Sequence, residues 1–208
     1  VAKKQIKYNT GFSTGALLLK ESEPVIENIK DASAFMQGKE EVDPTVIPVN
    51  AEASKNRFGR EVKKRIQTLN NPLFIDYFIS GNNQDKKLIL FYAMCKTYQL
   101  IADFMLDTVL SKWYNMDYEV SAYDFQLFVF NRMEKHPELE KISLPQIKKI
   151  STVPIRAMKE LGMLQNHKLQ KKEYNPAILK LIVKNNDRWF LETLLLNESE
   201  REEIIQSC

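Results

Sequence analysis

Turn-forming residues are scarce in this 208-residue chain, which has six glycines and eight prolines. Strand-rich folds spend many more such residues on their turns, so the expectation is a mainly α protein. Cysteine is rarer still. Cys95 falls in an apolar helical pattern and Cys208 is the last residue. That excludes a disulfide framework and fits a reducing, cytoplasmic setting. Only two histidines occur, His136 and His167, and neither has a neighbour at a spacing that suggests a metal site or a nucleophile–base pair. Glycine-rich phosphate loops, a nucleophile elbow and a Cys-x-x-Cys pair are all missing. The chain is therefore expected to be neither an enzyme nor a holder of a metal or other cofactor.

A clean apolar run of membrane length is missing too. Leu88 to Leu110 is long enough, but Lys96, Asp103 and Asp107 lie inside it. Each charge would cost about 2.5–3.5 kcal/mol near a bilayer centre. A buried helix, broken once, is the better expectation. The basic start, VAKKQIKYNT, leads into no apolar stretch of signal-peptide type. No membrane partner is expected. Asp103 and Asp107 stand one helical turn apart, but no Glu-x-x-His partner accompanies them, so ion pairs with Lys96 or Lys112, or contact with water, are expected instead.

Charge is where the chain stands out. The net charge of +3 hides two basic blocks in an otherwise acidic protein. Residues 55–71 carry six basic side chains (Lys55, Arg57, Arg60, Lys63, Lys64 and Arg65) against Glu61 alone. Residues 145–175 carry seven (Lys148, Lys149, Arg156, Lys159, Lys168, Lys171 and Lys172) against Glu160 and Glu173. Taken singly, each block is no more than a solvated helix face. Two of one sign, each on a helix with an apolar back, point to a polyanion partner.

The periodicity organises these blocks. Leu17, Leu18, Val25, Ile26 and Ile29 are buried candidates of a first helix, and DASAFMQG is a short second one. In AEASKNRFGREVKKRIQTLN, Phe58, Val62, Ile66 and Leu69 form one face, with Arg57, Arg60 and Lys64 opposite and Lys63 beside them. Arg65 falls at the edge of the apolar side, where its head is expected to reach water. Short helix, connection, amphipathic basic helix is helix-turn-helix logic, with a connection longer than usual.

The aromatic residues between 91 and 130 recur at helical spacing and read as core. Pro145 then opens a helix near Leu144. Ser151 or Thr152 is expected to cap a separate helix, because Pro154 suits only a first turn. Thr152, Arg156 and Lys159 share the outer side of that helix, and Gly162 stops it. A small hairpin is expected next, with arms Met163–Gln165 and Lys171–Tyr174 and a tip at Asn166, His167 and Lys168. Helix, helix, basic hairpin is the order of a winged helix. Three regions are thus expected. Residues 1–71 are helix-turn-helix-like, 72–143 form a central helical body, and 144–208 are winged-helix-like. One or two closing helices with an acidic, frayed end complete the chain.

YNTGFSTGALLLKES, KTYQLIADFMLDTVL, YDFQLFVFNRMEKH and ISTVPIRAMKELGML together resemble the BrxA family, and the resemblance spans nearly the whole chain. Its members are small proteins encoded in BREX (bacteriophage exclusion) loci. The resemblance implies a non-catalytic accessory role in phage defence, a helical fold with helix-turn-helix-like parts, and DNA binding. The family has also been called NusB-like and RNA-binding, and older labels place it in the inner membrane. The leading expectation is a protein that grips double-stranded DNA, mainly by its phosphates and with weak sequence preference. Arg57, Arg60, Lys63 and Lys64 would hold one stretch of backbone. Thr152, Arg156 and Lys159 would face a groove, with Lys168, Lys171 and Lys172 on the wing. The alternatives are a scaffold that docks larger BREX components and an RNA-binding protein.

Overall fold

The computed structural model describes residues 7–208, so the first part of the basic N-terminal arm lies outside the described residues. After a 3-10 turn at Gly11–Thr14 come α1 (Leu19–Glu27), α2 (Ala32–Met36), α3 (Glu52–Thr68), α4 (Leu73–Ser80) and α5 (Asn83–Thr97). Next are α6 (Gln99–Phe104), a π-turn (Met105–Val109), α7 (Leu110–Tyr114), α8 (Ala122–Met133), α9 (Pro137–Glu140) and α10 (Leu144–Leu161). A hairpin of β1 (Leu164–Gln165) and β2 (Lys168–Leu169) precedes α11 (Pro176–Lys184), α12 (Phe190–Thr193) and α13 (Glu198–Gln206). The fold is mainly α with one small antiparallel hairpin, as expected.

Helix α5 is the axis of the core. Every residue from Leu88 to Cys95 is at most 1% exposed, with α1, α3, α4, α6 and α10 packed around it. A capping box of Asn82 and Asp85 starts α5. The apolar run then breaks at Tyr98, and the two halves diverge by 105°. Neither proline nor glycine stands at this break. Instead the Tyr98 hydroxyl donates to Glu61 on α3 at 2.7 Å, and its ring meets Phe12 edge-on. Among the described residues no single helix is long and apolar enough to cross a membrane.

The largest departure from expectation is α10. The two helices expected at 144–150 and 152–161 are one, capped by a box of Ser143 and Gln146. Pro154 sits inside it, at a cost of about 3 kcal/mol in a helix interior. Burial offsets that cost: Ile147, Ile150, Val153, Ile155, Met158 and Leu161 all pack against the core, each contributing about 1.5–3 kcal/mol. Ser151 and Thr152 are not caps. Their hydroxyls donate back to the carbonyls of Lys148 and Lys149, at 2.8 and 2.9 Å.

The hairpin is also tighter than expected. Leu164 pairs with Leu169 and Gln165 with Lys168, leaving Asn166 and His167 as a two-residue turn with φ of 49° and 63°. The second arm therefore begins at Lys168, and Lys171–Tyr174 lies beyond it. The segment at 118–120 adds a third edge. Leu169 N donates to Tyr118 O at 2.8 Å and Val120 N to His167 O at 2.9 Å.

A cluster around Asp187 fastens the C-terminal helices to α5. Its carboxylate accepts from Tyr92, Lys96, Asn185 and Trp189. Burial pushes the Asp187 carboxyl up, but hydrogen bonds from Lys96, Tyr92 and Trp189 and the Lys96 charge outweigh it and hold it below the usual carboxylate range. A pKa depressed by folding gives stability that is complete above about pH 5 and lost as pH falls through 4 and below. Asp187→Asn is therefore expected to lower urea stability at pH 7, with the gap from the parent narrowing towards about pH 3. A gap of equal size at both pH values would refute this role.

Candidate nucleic-acid interface

Because α10 is continuous, its outer stripe is longer than half a helix can supply. At 100° per residue, Lys148, Lys149, Thr152, Arg156 and Lys159 fall within one band about 100° wide. All five are exposed. No ion pair engages these four cations among the described residues. Lys148 and Lys149 join the sites expected from sequence only because the helix does not end at Ile150. Their signal, two lysines one turn before Thr152, was legible, but Pro154 masked it. Glu160, the acidic residue of α10, turns aside to accept from Leu17 N at 3.0 Å.

Gly162 closes α10 at φ 86°, a left-handed value that suits glycine, and the Lys172 stem lies over it. The Lys172 charge therefore sits beside the carbonyl end of the helix, where a cation is favoured. Lys171 pairs with Glu200 of α13 at 2.6 Å. Of the three lysines expected on the wing, Lys168 alone lies within the hairpin, at the start of its second arm, and it is exposed.

On α3 the expected outer face holds in part. Arg57, Arg60 and Lys64 are exposed, and Lys63 pairs with Glu41. Lys64 Nζ also lies 4.6 Å from the Tyr98 ring centroid. Arg65 departs from expectation, because its head does not reach water. At 1% exposure its guanidinium donates to Glu61 at 2.6 Å, to the Gly15 carbonyl at 2.9 Å and to the Ala16 carbonyl. Glu61 is buried as well, so the block at 55–71 presents fewer free charges than its composition suggests. Nor is there a tight turn before α3: residues 37–51, with Pro44 and Pro48, separate it from α2.

Phe58 of the first block and Arg156 of the second line one cleft beside the N-terminal segment. This cleft of about 400 Å³ is lined by Phe58 of α3, Lys87 of α5, Arg156 and Glu160 of α10, and Lys20 and Glu21 of α1. Arg57 stacks over the Phe58 ring, with 5.2 Å to its centroid. The carboxylates that had suggested ion pairs with Lys96 or Lys112 have other partners. Asp103 accepts from Tyr8 and Gln99, both at 2.6 Å, and Asp107 pairs with Arg132. Among the described residues no cluster of His, Cys, Asp and Glu is arranged to hold a metal ion.

Known proteins share the family and the fold. The BREX protein BrxA of Bacillus cereus (strain H3081.97) is 24% identical over 182 residues, spanning 86% of this chain and 88% of that protein. The crystal structure of an uncharacterized protein from Magnetospirillum magneticum shares the fold, with a TM-score of 0.73 at 18% identity, covering 91% of this chain and 98% of that one. A family model described as BrxA matches residues 6–186, from the end of the basic arm through α11, and the chain belongs to the BrxA family.

Proposed function

We propose that this chain is a non-catalytic accessory protein of a BREX phage-defence system that binds double-stranded DNA, chiefly by its phosphates. The observation that carries the reading is the α10 stripe: Lys148, Lys149, Arg156 and Lys159 side by side, exposed, with no carboxylate neutralising them among the described residues. A row of exposed cations along one helix face raises the local positive potential and suits an external polyanion. The order supports the same reading. The edge at 118–120, α8, α9, α10 and then a hairpin on that edge is winged-helix order, with α10 as the helix offered to a groove and Lys168 beside it. Arg57, Arg60 and Lys64, exposed on α3, would supply a second cationic face. Lysine and arginine dominate the stripe, and asparagine and glutamine are absent from it, so backbone contact outweighs base reading.

A salt titration tests the proposal. With about six phosphates contacted, the logarithm of duplex affinity should fall against that of salt with a slope of about −5. Competition should favour duplex DNA over RNA of equal length. A flat salt dependence would leave the scaffold reading in its place, and a preference for RNA would replace the duplex as ligand.

A further inference from the structure

Two hollows meet on the outer side of α3, apart from the α10 stripe. The first, about 410 Å³, is lined by Val42 and Pro44 over the buried Phe35, together with Glu41, Asn56, Arg60 and Lys63. The second, also about 410 Å³, is polar and cationic, and adds Lys64 and Thr68 to the same Arg60 and Lys63. Arg60 and Lys63 are common to both, so an apolar compartment opens directly onto a cationic one. The first volume lies within the roughly 300–1,000 Å³ of small-ligand sites, and the second is a shallow, open face of α3. The apolar wall is built deliberately. A Cβ on Gly59 would meet the Pro44 side chain at 3.0 Å, so glycine there lets the Pro44–Val46 turn seat against α3.

The valences at the shared edge are open. Arg60 spends Nε on the Asn56 carbonyl at 3.2 Å, and its terminal nitrogens make no hydrogen bond among the described residues. Lys63 holds the carboxylate of Glu41, whose side chain is 75% exposed. An anion from the chain's own loop thus already occupies the position, and an exposed pair of this kind is worth only about 0.2–1 kcal/mol. A stronger anion can displace it at little cost.

We propose that these joined hollows bind a nucleobase–phosphate unit, with the planar base in the apolar compartment and the phosphate on Arg60 and Lys63 in place of Glu41. Phosphate alone leaves the apolar half empty, and an apolar ligand alone leaves the cations unanswered. The unit can come from a free nucleotide or from an unpaired nucleotide of a strand lying over α3; for the second source the inference rests on the nucleic-acid reading above.

The test is calorimetric titration of the full chain, in phosphate-free buffer, with deoxyadenosine monophosphate, deoxyadenosine and inorganic phosphate. The nucleotide should bind at least about tenfold more tightly than either piece. Val42→Phe, which fills the apolar half, should remove that advantage and leave phosphate binding in place. Glu41→Gln, at an exposed position that cannot unsettle the fold, should raise nucleotide affinity about two- to fivefold. Equal affinity for nucleotide and phosphate, or no binding by either, overturns the proposal. A short deoxyadenosine single strand separates the sources: tighter binding than the free nucleotide, sensitive to Val42→Phe, assigns the site to a strand, and binding no tighter assigns it to the free nucleotide. A gel shift with duplex DNA keeps the two readings apart. Duplex binding without nucleotide binding sinks the pocket alone, and nucleotide binding without duplex binding sinks the duplex reading alone.

Discussion

Reversing Arg156 and Lys159 to Glu together is expected to abolish duplex binding in a gel shift while leaving the helical circular dichroism unchanged. Both side chains are exposed and neither serves an internal ion pair among the described residues, so the fold loses little beyond the favourable place of Lys159 in the last turn of α10. Surface substitutions of this kind usually change stability by no more than about 0.5 kcal/mol. Binding loses two phosphate contacts and gains two repulsive charges in the middle of the stripe. The affinity should drop by at least about a hundredfold near 0.1 M salt, and the salt slope should become shallower by about 2. The milder pair Lys148→Gln and Lys149→Gln should weaken binding in the same direction, because one continuous helix places them in the same row. Unchanged affinity in the double reversal would remove α10 from the interface.

The second large effect concerns an arginine that the charge map assigns to the same surface and the structure assigns to the core. Arg65→Ala is expected to destabilise the protein by about 3–5 kcal/mol, the usual consequence of stranding one member of a buried pair. In a chain of this length that lowers the unfolding midpoint on the order of 10 °C. The physical cause is Glu61, left buried with only the Tyr98 hydroxyl as partner, together with the unpaired carbonyls of Gly15 and Ala16. Adding Glu61→Gln to Arg65→Met should recover part of the loss, because the stranded charge is gone. Thermal unfolding followed by circular dichroism decides the matter. Lost DNA affinity with unaltered stability would instead make Arg65 a contact residue.

Much of this organisation was legible before folding. The spacing of Val62, Ile66 and Leu69 fixed the inner face of α3 and hence the outer position of Arg57, Arg60 and Lys64. Asn166 and His167 fell at the hairpin tip, where positive φ is needed. Lys96, Asp103 and Asp107 argued against a straight apolar span, and the run does bend. What escaped was every feature set by distant partners. The break at Tyr98 carries no local breaker and exists because Glu61 and Phe12 wait on other elements. Arg65 could have snorkelled, had the Gly15 and Ala16 carbonyls not met it. Tyr8 and Arg132, partners of Asp103 and Asp107, lie 95 and 25 positions away, beyond the reach of periodicity, whereas Gln99 stands only one helical turn from Asp103.

The sequence by itself determined the helical class, the faces of α3 and α10, the charge of each block and the turn at the hairpin. These follow from residue spacing and backbone preference, which act within a few positions. Tertiary structure alone decided that α10 runs through Pro154, since core burial outweighs a local penalty of about 3 kcal/mol. It also decided which cations are free. Arg65, Lys63 and Lys171 each met an acidic partner brought from elsewhere in the chain or from a neighbouring helical turn, whereas Lys148, Lys149, Arg156 and Lys159 met none among the described residues. A charge count is additive along the chain; a free charge is a property of what the fold places beside it.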